Sequence, residues 1–374
     1  MIASRRQILG TAGLATAGLL LPRSPVWAAP DPTAELASIG NHVMSTGPNG
    51  EQPSPASSVS LSSDEIAKIR AMKATAAIVM HYSGNDWSRA QIAGLKEGFS
   101  KLGIDVIAVT DAGFKADRQV SDIETVLAQH PNIIVSIPTD PVATADAYAK
   151  AAAQGTKLVF MDNVPHGMTA GHGYVSVVSA DNYGNGVTAG LLMAQALKSQ
   201  GNVGLVYFAA DFFVTKQRYT AVKATLAKFP GIKIVAEQGI GGPDFSGDAE
   251  QAATAMLTAH PDLNGIWAVW DVPAEGVIAA ARTAGNNDLV ITTCDLGVNV
   301  AIEMASKGFV KGLGAQRPFD QGLTETLLAG YGLLGKTAPA YVALPALPVT
   351  RSNLLTAWTE VYHTPAPKDV VQSM

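Results

Sequence analysis

Cysteine is nearly absent: the 374-residue chain has one, Cys294. A disulfide scaffold and a cysteine-rich zinc site are thereby excluded. Charge is sparse as well, at 15% of residues, with a formal net charge of −5. A nucleic-acid-binding surface needs a lysine and arginine excess that this balance does not provide. No G-x-S-x-G elbow of the hydrolase kind occurs. Past the N-terminus, no apolar run reaches the ~18 residues that a membrane-spanning helix needs. Aromatics are 6%, so each one near a strand end asks for a reason. What is abundant is apolar residues, at 47%. That is enough for sizeable cores and argues against wholesale disorder. At ~150 residues per domain, the length predicts two domains.

The N-terminus reads as an export address. Arg5 and Arg6 give a positive start, and an apolar run follows from Ile8 to Leu21. That run is too short to span a bilayer and has the proportions of a signal peptide. Val26-Trp27-Ala28 resembles a small-x-Ala cleavage site, with the cut after Ala28. Ser4-Arg5-Arg6-Gln7-Ile8-Leu9 resembles a twin-arginine signal, with Ile8 where Phe is frequent. An ordinary secretory signal with two arginines is the alternative. Removal of Arg5, Arg6 and Arg23, with no acids, takes the formal charge from −5 to −8. No cysteine stands at the cut, so a lipid anchor is not supported. The mature chain is expected to be soluble and in the periplasm.

Residues 29–73 read as an extension or linker, with a Pro-, Gly- and Ser-rich stretch from Gly47 to Ser58. Ser62-Ser63-Asp64-Glu65 offers a capping box for a short helix through Ile66, Ile69 and Arg70. From Ala76 onward, short apolar β-branched runs alternate with amphipathic stretches. Strands are expected near 77–80, 106–109, 133–137, 158–161 and 175–178, then 203–208, 232–236, 266–269, 289–292 and 309–313. Helices are expected over 88–102, 116–129 and 143–154, then 215–229, 248–259, 274–284 and 298–307. Continuous apolar runs with helices between them predict parallel strands buried on both faces, a doubly wound α/β architecture. The halves echo each other. His130-Pro131 and His260-Pro261 each end a helix before a strand, 130 residues apart. Proline after a helix is a stop signal, and capping or surface positions suit both histidines better than a metal. Two Rossmann-like lobes with a cleft between them follow.

In open α/β sheets, ligands bind beyond the carboxyl ends of the strands. His81, Asn85, Asp86 and Trp87 follow the first strand, and Asp162 and Asn163 the fourth. In the second half, Asp211, Phe212 and Phe213 follow a strand and Arg218 opens the next helix. Phe245 sits in a loop after Ile240-Gly241-Gly242-Pro243. Trp270, Asp271, Cys294, Asp295, Gln316 and Arg317 stand at later strand ends. Carboxylates and amides bond hydroxyls in pairs, arginine donates a planar fork, and Trp and Phe offer flat apolar faces. A sugar or polyol needs that mixture. A single Asp at a strand end serves equally well as a helix N-cap. A lone Trp or Phe is more often core, and Cys294 suits a buried small hydrophobe. The weight lies in the set.

These residues resemble the periplasmic substrate-binding proteins of sugar ABC importers, of the ribose-binding-protein type, over about Thr75 to Leu347. The resemblance implies two Rossmann-like lobes, joined by a three-segment hinge, that close around a monosaccharide. Asn85 and Trp87 match the Asn and aromatic of the first loop, where His81 takes a usually small polar position. Asp162 matches the carboxylate that receives sugar hydroxyls, and Arg218 the arginine of the second lobe. Phe245 matches the stacking aromatic, and Asp295 and Gln316 the Asp and the hinge-side Gln. Two positions depart: Asn163 stands where the pattern has Arg, and Trp270 where it has Asn. An amide lacks the arginine fork, and Trp brings bulk and a single donor. Both favour a pentose other than ribose, a hexose or a polyol.

The resemblance implies crossings near 178–180, 316–318 and 340–344. Lobe 1 is then 74–178 with 317–343, and lobe 2 is 179–316 with 344–374. It implies no enzyme activity, cofactor, metal or nucleic acid; the expected partners are a small sugar or polyol and the membrane permease, with the protein a monomer. A sensor-binding protein that serves a membrane receptor would share the site. A nucleotide enzyme is the distant alternative. Gly184, Gly186 and Gly190 open a helix with Asp211 further on, but their spacing is G-x-G-x-x-x-G.

Overall fold

The computed structural model describes residues 30–40 and 42–374. The export signal expected over 1–28 lies outside the described residues.

The predicted alternation produces two parallel sheets flanked by helices. The first runs in the order Ser54–Pro55, Tyr341–Leu344, Ser176–Ala180, Lys157–Met161, Ile133–Ser136, Thr75–Met80, Asp105–Asp111. The second runs Ile232–Ile240, Gly201–Phe208, Leu263–Ala268, Val290–Cys294, Val310–Ala315, Leu347–Val349. Only the last pairing in the second sheet is antiparallel. Successive side chains on a strand point to opposite faces, and the first sheet has a core on each. Ile78, Met80, Ile133, Val135, Val159 and Met161 pack on one side. Ala77, Val79, Ile134, Leu158, Phe160 and Val177 pack on the other. The second sheet sits in one continuous core that includes Trp267, Val269 and Cys294.

The chain leaves the first sheet after Ala180 and enters the helix Asn182–Ala196, which packs on the second sheet. It returns after Ala315 through the helix Pro318–Leu334, against the helix Asp86–Leu102. It crosses once more between Tyr341–Leu344 and Leu347–Val349. The tail then joins the second core through Leu354, Ala357, Trp358 and Val361.

The segment expected to be a linker is structured and spans both lobes. Its helix Pro32–Ile39 packs on Asn182–Ala196, and Ile39 is buried in the second core. Its strand Ser54–Pro55 joins the first sheet, beside Tyr341–Leu344. Between them Ser45 lies at the hinge. The backbone N–H groups of Met44 and Ser45 donate to Asp181, each at 2.9 Å. Ser45 Oγ lies 2.8 Å from Asp181 Oδ1 and accepts from the Tyr183 N–H at 2.9 Å. The extension therefore adds a fourth connection to the three-segment hinge. The capping box forms as read: Ser62 Oγ accepts from the Glu65 N–H, and the Glu65 carboxylate accepts from the Ser62 N–H at 2.7 Å.

The glycines of the nucleotide alternative have another use. Asp181 caps their helix, its Oδ1 accepting from the Gly184 N–H at 2.9 Å. A Cβ on Gly186 would stand 2.4 Å from the Arg218 carbonyl oxygen. These glycines bring two helices together and leave no bare helix start for a phosphate. Asp211 is exposed and pairs with Lys216.

Candidate functional site

Two aspartates stand at matching places. Asp162 ends the strand Lys157–Met161 and Asp295 ends Val290–Cys294, one in each lobe. Their backbone N–H groups still bond the neighbouring strand, to Val178 O at 2.8 Å and Gly314 O at 2.9 Å. Both then turn into the left-handed region, with φ of 56° and 66°. Among side-chain-bearing residues, Asp and Asn tolerate that region best. The turn lifts each carboxylate off its sheet toward the space between the lobes.

A chain of hydrogen bonds links the two. Asp162 Oδ1 accepts from Ser179 Oγ at 2.5 Å, and Asn182 Nδ2 donates to the same hydroxyl at 3.1 Å. Asn182 Oδ1 accepts from Arg218 Nε at 3.0 Å. The Arg218 fork grips Asp295, Nη1 to Oδ2 at 2.9 Å and Nη2 to Oδ1 at 3.2 Å, and Nη1 also reaches Val269 O. Gln316 Nε2 donates to Asp295 Oδ1 at 2.9 Å, while Gln316 Oε1 is buried without a partner. Arg218 is 2% exposed; burial works against its charge, but Asp295, Cys294 and Asp162 together raise its guanidinium pKa. Burial pushes the Asp162 carboxyl up to about 6, against the pull of the Ser179 bond and Arg218. Burial likewise lifts the Cys294 thiol to about 12, so it is an inert core group.

The other wall is aromatic. His81 lies edge-on to Phe114 at 4.7 Å and nearly parallel to Phe212 at 5.8 Å. Phe114 meets Phe245 at 5.1 Å, and Phe245 meets Trp270 at 5.1 Å. His81 and Phe114 follow strands of the first sheet; Phe212, Phe245 and Trp270 follow strands of the second. The ring contacts thus close the lobes on each other. Burial drives the His81 pKa down to about 3, so its imidazole is neutral.

These two walls line one cleft between the lobes, with about 600 Å³ of empty space when the open solvent at its mouth is included. Of the residues expected at the site, His81, Asn85, Trp87, Asp162, Arg218, Phe245, Trp270, Asp295 and Gln316 line it. Asn85 also caps the helix Asp86–Leu102, its Oδ1 accepting from the Ser88 N–H at 3.0 Å.

Asp86 and Asn163 do not line the cavity. The Asp86 carboxylate accepts from the Val298 N–H at 2.8 Å, at the start of a helix of the other lobe, and pairs with Arg89. It joins the lobes at the rim. The left-handed turn at Asp162 carries Asn163 away, and its Nδ2 donates to Pro138 O at 3.1 Å. Phe245 is not in a loop but opens the helix Phe245–Ala259. Arg317 reaches Glu360 and Pro345 O instead of the cavity. The lining residues not foreseen include Tyr82, Phe114, Phe208 and Thr215. The strand-end rule, applied to Asp105–Asp111 and Gly201–Phe208, would have found Phe114 and Phe208. Among the described residues, no cluster of three or more His, Cys, Asp or Glu is placed to hold a metal ion.

A family model for the periplasmic binding protein domain matches residues 76–328. The chain is 28% identical over 202 residues to the ribose import binding protein of Bacillus subtilis, covering 53% of this chain and 62% of that one. It is 28% identical over 215 residues to the D-ribose/D-allose-binding protein of Pseudomonas aeruginosa, covering 56% and 66%. It thus spans less than two thirds of the length of these curated relatives. An ABC sugar transporter subunit from Rhodobacter sphaeroides superposes with a TM-score of 0.65 at 28% identity, over 75% of this chain and 99% of that one. A solute-binding protein from Agrobacterium vitis, solved with alpha-D-tagatopyranose, shares the fold with a TM-score of 0.72 at 22% identity, over 78% and 99%.

Proposed function

This chain belongs to the periplasmic binding protein family, and from that premise we propose that it captures one neutral monosaccharide or polyol between its lobes and hands it to the permease of an ABC importer. The observation that carries this reading is the hydrogen-bonded set of Asp162, Arg218, Asp295 and Gln316, drawn from both sides of the cleft and facing aromatic rings in one cavity. The carboxylates accept hydroxyl protons, and Arg218 and Gln316 hold Asp295 in place. Phe245 and Trp270 present flat faces to ring C–H groups, and His81, Asn85 and Trp87 complete the first lobe's share. The relatives and neighbours include proteins named for ribose, allose and sugar transport, which supports the class of ligand.

The expected bodies, 74–178 with 317–343 and 179–316 with 344–374, shift at two boundaries to Ala180 and Leu344, because the strands Ser176–Ala180 and Tyr341–Leu344 lie wholly in the first sheet. A ligand that touches both stabilises the closed form, and a permease can then tell loaded from empty protein by lobe spacing. The protein binds without transforming its ligand and works outside the cytoplasm as a monomer. The N-terminal signal, cut after Ala28, delivers it there, by the twin-arginine route on the reading of Arg5 and Arg6.

Thermal unfolding against a panel of pentoses, hexoses, polyols and NAD tests this. A true ligand at 100 times its Kd adds about 2.7 kcal/mol of stability. A sugar or polyol in the panel should raise the Tm and NAD should not. A shift with NAD and none with any carbohydrate overturns the reading.

A further inference from the structure

The first hinge crossing carries a side chain that belongs to both halves of the site. Given the carbohydrate reading above, on which its purpose rests, we propose that Asn182 is a positioning residue: its amide spans the hinge and fixes the order of the protons between Arg218 in the second lobe and Asp162 in the first, so that the Asp162 carboxylate meets the ligand as an acceptor.

Chemistry forces that order. Arginine only donates, and a backbone carbonyl only accepts. Arg218 Nε lies 3.0 Å from one end of the Asn182 amide, which is therefore Oδ1. Ala180 O lies 3.2 Å from the other end, which is therefore Nδ2. Of the two Nδ2 hydrogens, one goes to Ala180 O and the other to Ser179 Oγ at 3.1 Å. With its oxygen engaged as an acceptor, the Ser179 hydroxyl gives its own proton to Asp162 Oδ1 at 2.5 Å. A donor of this kind favours the ionised carboxylate, and bonds running in one direction strengthen one another. An aspartate at 182 could accept from Arg218 but would have nothing to give Ser179. A leucine of similar size would do neither.

The amide sits where the lobes join. Ser179 belongs to the strand Ser176–Ala180 of the first sheet, and Asn182 opens the helix Asn182–Ala196 of the second lobe. Both residues are fully buried. The start of that helix is fixed from behind, because Asp181 caps it and accepts from the backbone of Met44 and Ser45. Gln217 Nε2 donates to Thr46 O at 3.0 Å. The extension thus ties Asp181 to Gln217, the residues just before Asn182 and Arg218. The Asn182–Arg218 bond ties the same two helices on the side of the site. Bonds on two sides hold the amide and the guanidinium in register.

Carbon-13 NMR of labelled aspartate carboxyls tests this on the mature chain with no carbohydrate present, Asp162→Asn identifying the signal. The variants are Asn182→Ala, Ser179→Ala and the two together. The charged and titratable groups around Asp162 are Arg218 and Asp295 of the second lobe, Glu325 of the helix Pro318–Leu334, and Tyr341. No variant in the cycle removes any of them. Asn182→Ala should raise the titration midpoint of Asp162 by about half a pH unit or more. The rise should be clearly smaller once Ser179 is already alanine, because the effect passes through the serine hydroxyl. Asn182→Leu, which keeps the size without the polar atoms, takes the place of Asn182→Ala if that variant does not fold. A midpoint unmoved by the change at 182 overturns the positioning role. So does an equal rise with and without Ser179, which is what a merely structural asparagine would give. Since no carbohydrate enters the cycle, either failure leaves the carbohydrate reading standing. If no carbohydrate in the thermal panel binds, that reading falls, and with it the purpose assigned to Asn182, whatever the cycle shows.

Discussion

Asp162 is the most exacting single residue. Its carboxyl is buried, with a pKa raised from 3.8 to about 6 chiefly by loss of water. Between those values the folded chain holds a proton that the unfolded chain has released. This group therefore favours folding at low pH, and that contribution fades as pH rises through 6. His81 acts in the opposite sense: its pKa falls from 6.5 to about 3, so stability is lost as pH drops through that window. Ligand binding follows Asp162, because hydroxyls need the ionised acceptor. Affinity should fall as pH drops from 7 to 5, with proton release on binding near pH 6, both readable by calorimetry in buffers of different ionisation heat. Asp162→Asn keeps a residue suited to φ of 56° and should remove this dependence, at a cost of about 1.5–3 kcal/mol in affinity. Arg218→Ala acts on stability as well. It leaves Asp295 buried without its fork, which costs about 3–5 kcal/mol and is measurable by urea unfolding.

That Asp162, Arg218, Asp295 and Gln316 share one cavity was legible in the sequence, because all four stand at or just beyond the carboxyl ends of parallel strands, which face each other across the cleft. Asn163 was misread for a local reason. Side-chain direction along a strand does not carry through a left-handed residue, and Asp162 is one. Asp86 was misread because an aspartate at a helix start can bond a partner lobe as readily as a ligand, and spacing does not separate the two. The gathering of Phe114 with Phe208 and Phe245 depends on how the lobes meet, which no local pattern encodes.

At the scale of elements, the extension is the main departure from the sequence reading. A Pro- and Gly-rich stretch without periodicity gives no sign that it crosses a hinge. Its tie is concentrated in Ser45, which both bonds Asp181 and receives the Tyr183 N–H. Ser45→Ala should lower unfolding stability by about 1–3 kcal/mol, since it leaves a buried donor unpaired. The alternation of strands and helices was legible because both have clear periods. Gly186 tests the helix pairing beneath the site. Adding a methyl there meets the Arg218 backbone at 2.4 Å. Gly186→Ala should push the two helices apart, cost about 1–3 kcal/mol, and weaken binding through displacement of Arg218.

For the whole molecule, closure is the relevant motion. The lobes meet through the aromatic contacts and through the Asp86 bond to the Val298 N–H. A carboxylate at a helix start is a favourable partner. Asp86→Ala should therefore shift the ligand-free protein toward the open form, read as a larger radius of gyration by solution scattering. The most direct measurement of the central claim is calorimetric titration of the mature protein with its best carbohydrate from the thermal panel, beside Asp162→Ala. Saturable binding of one ligand per chain, largely lost in a folded variant and with the sugar recovered unchanged, is the predicted result. Equal affinity in the variant, or a sugar recovered in altered form, would contradict it.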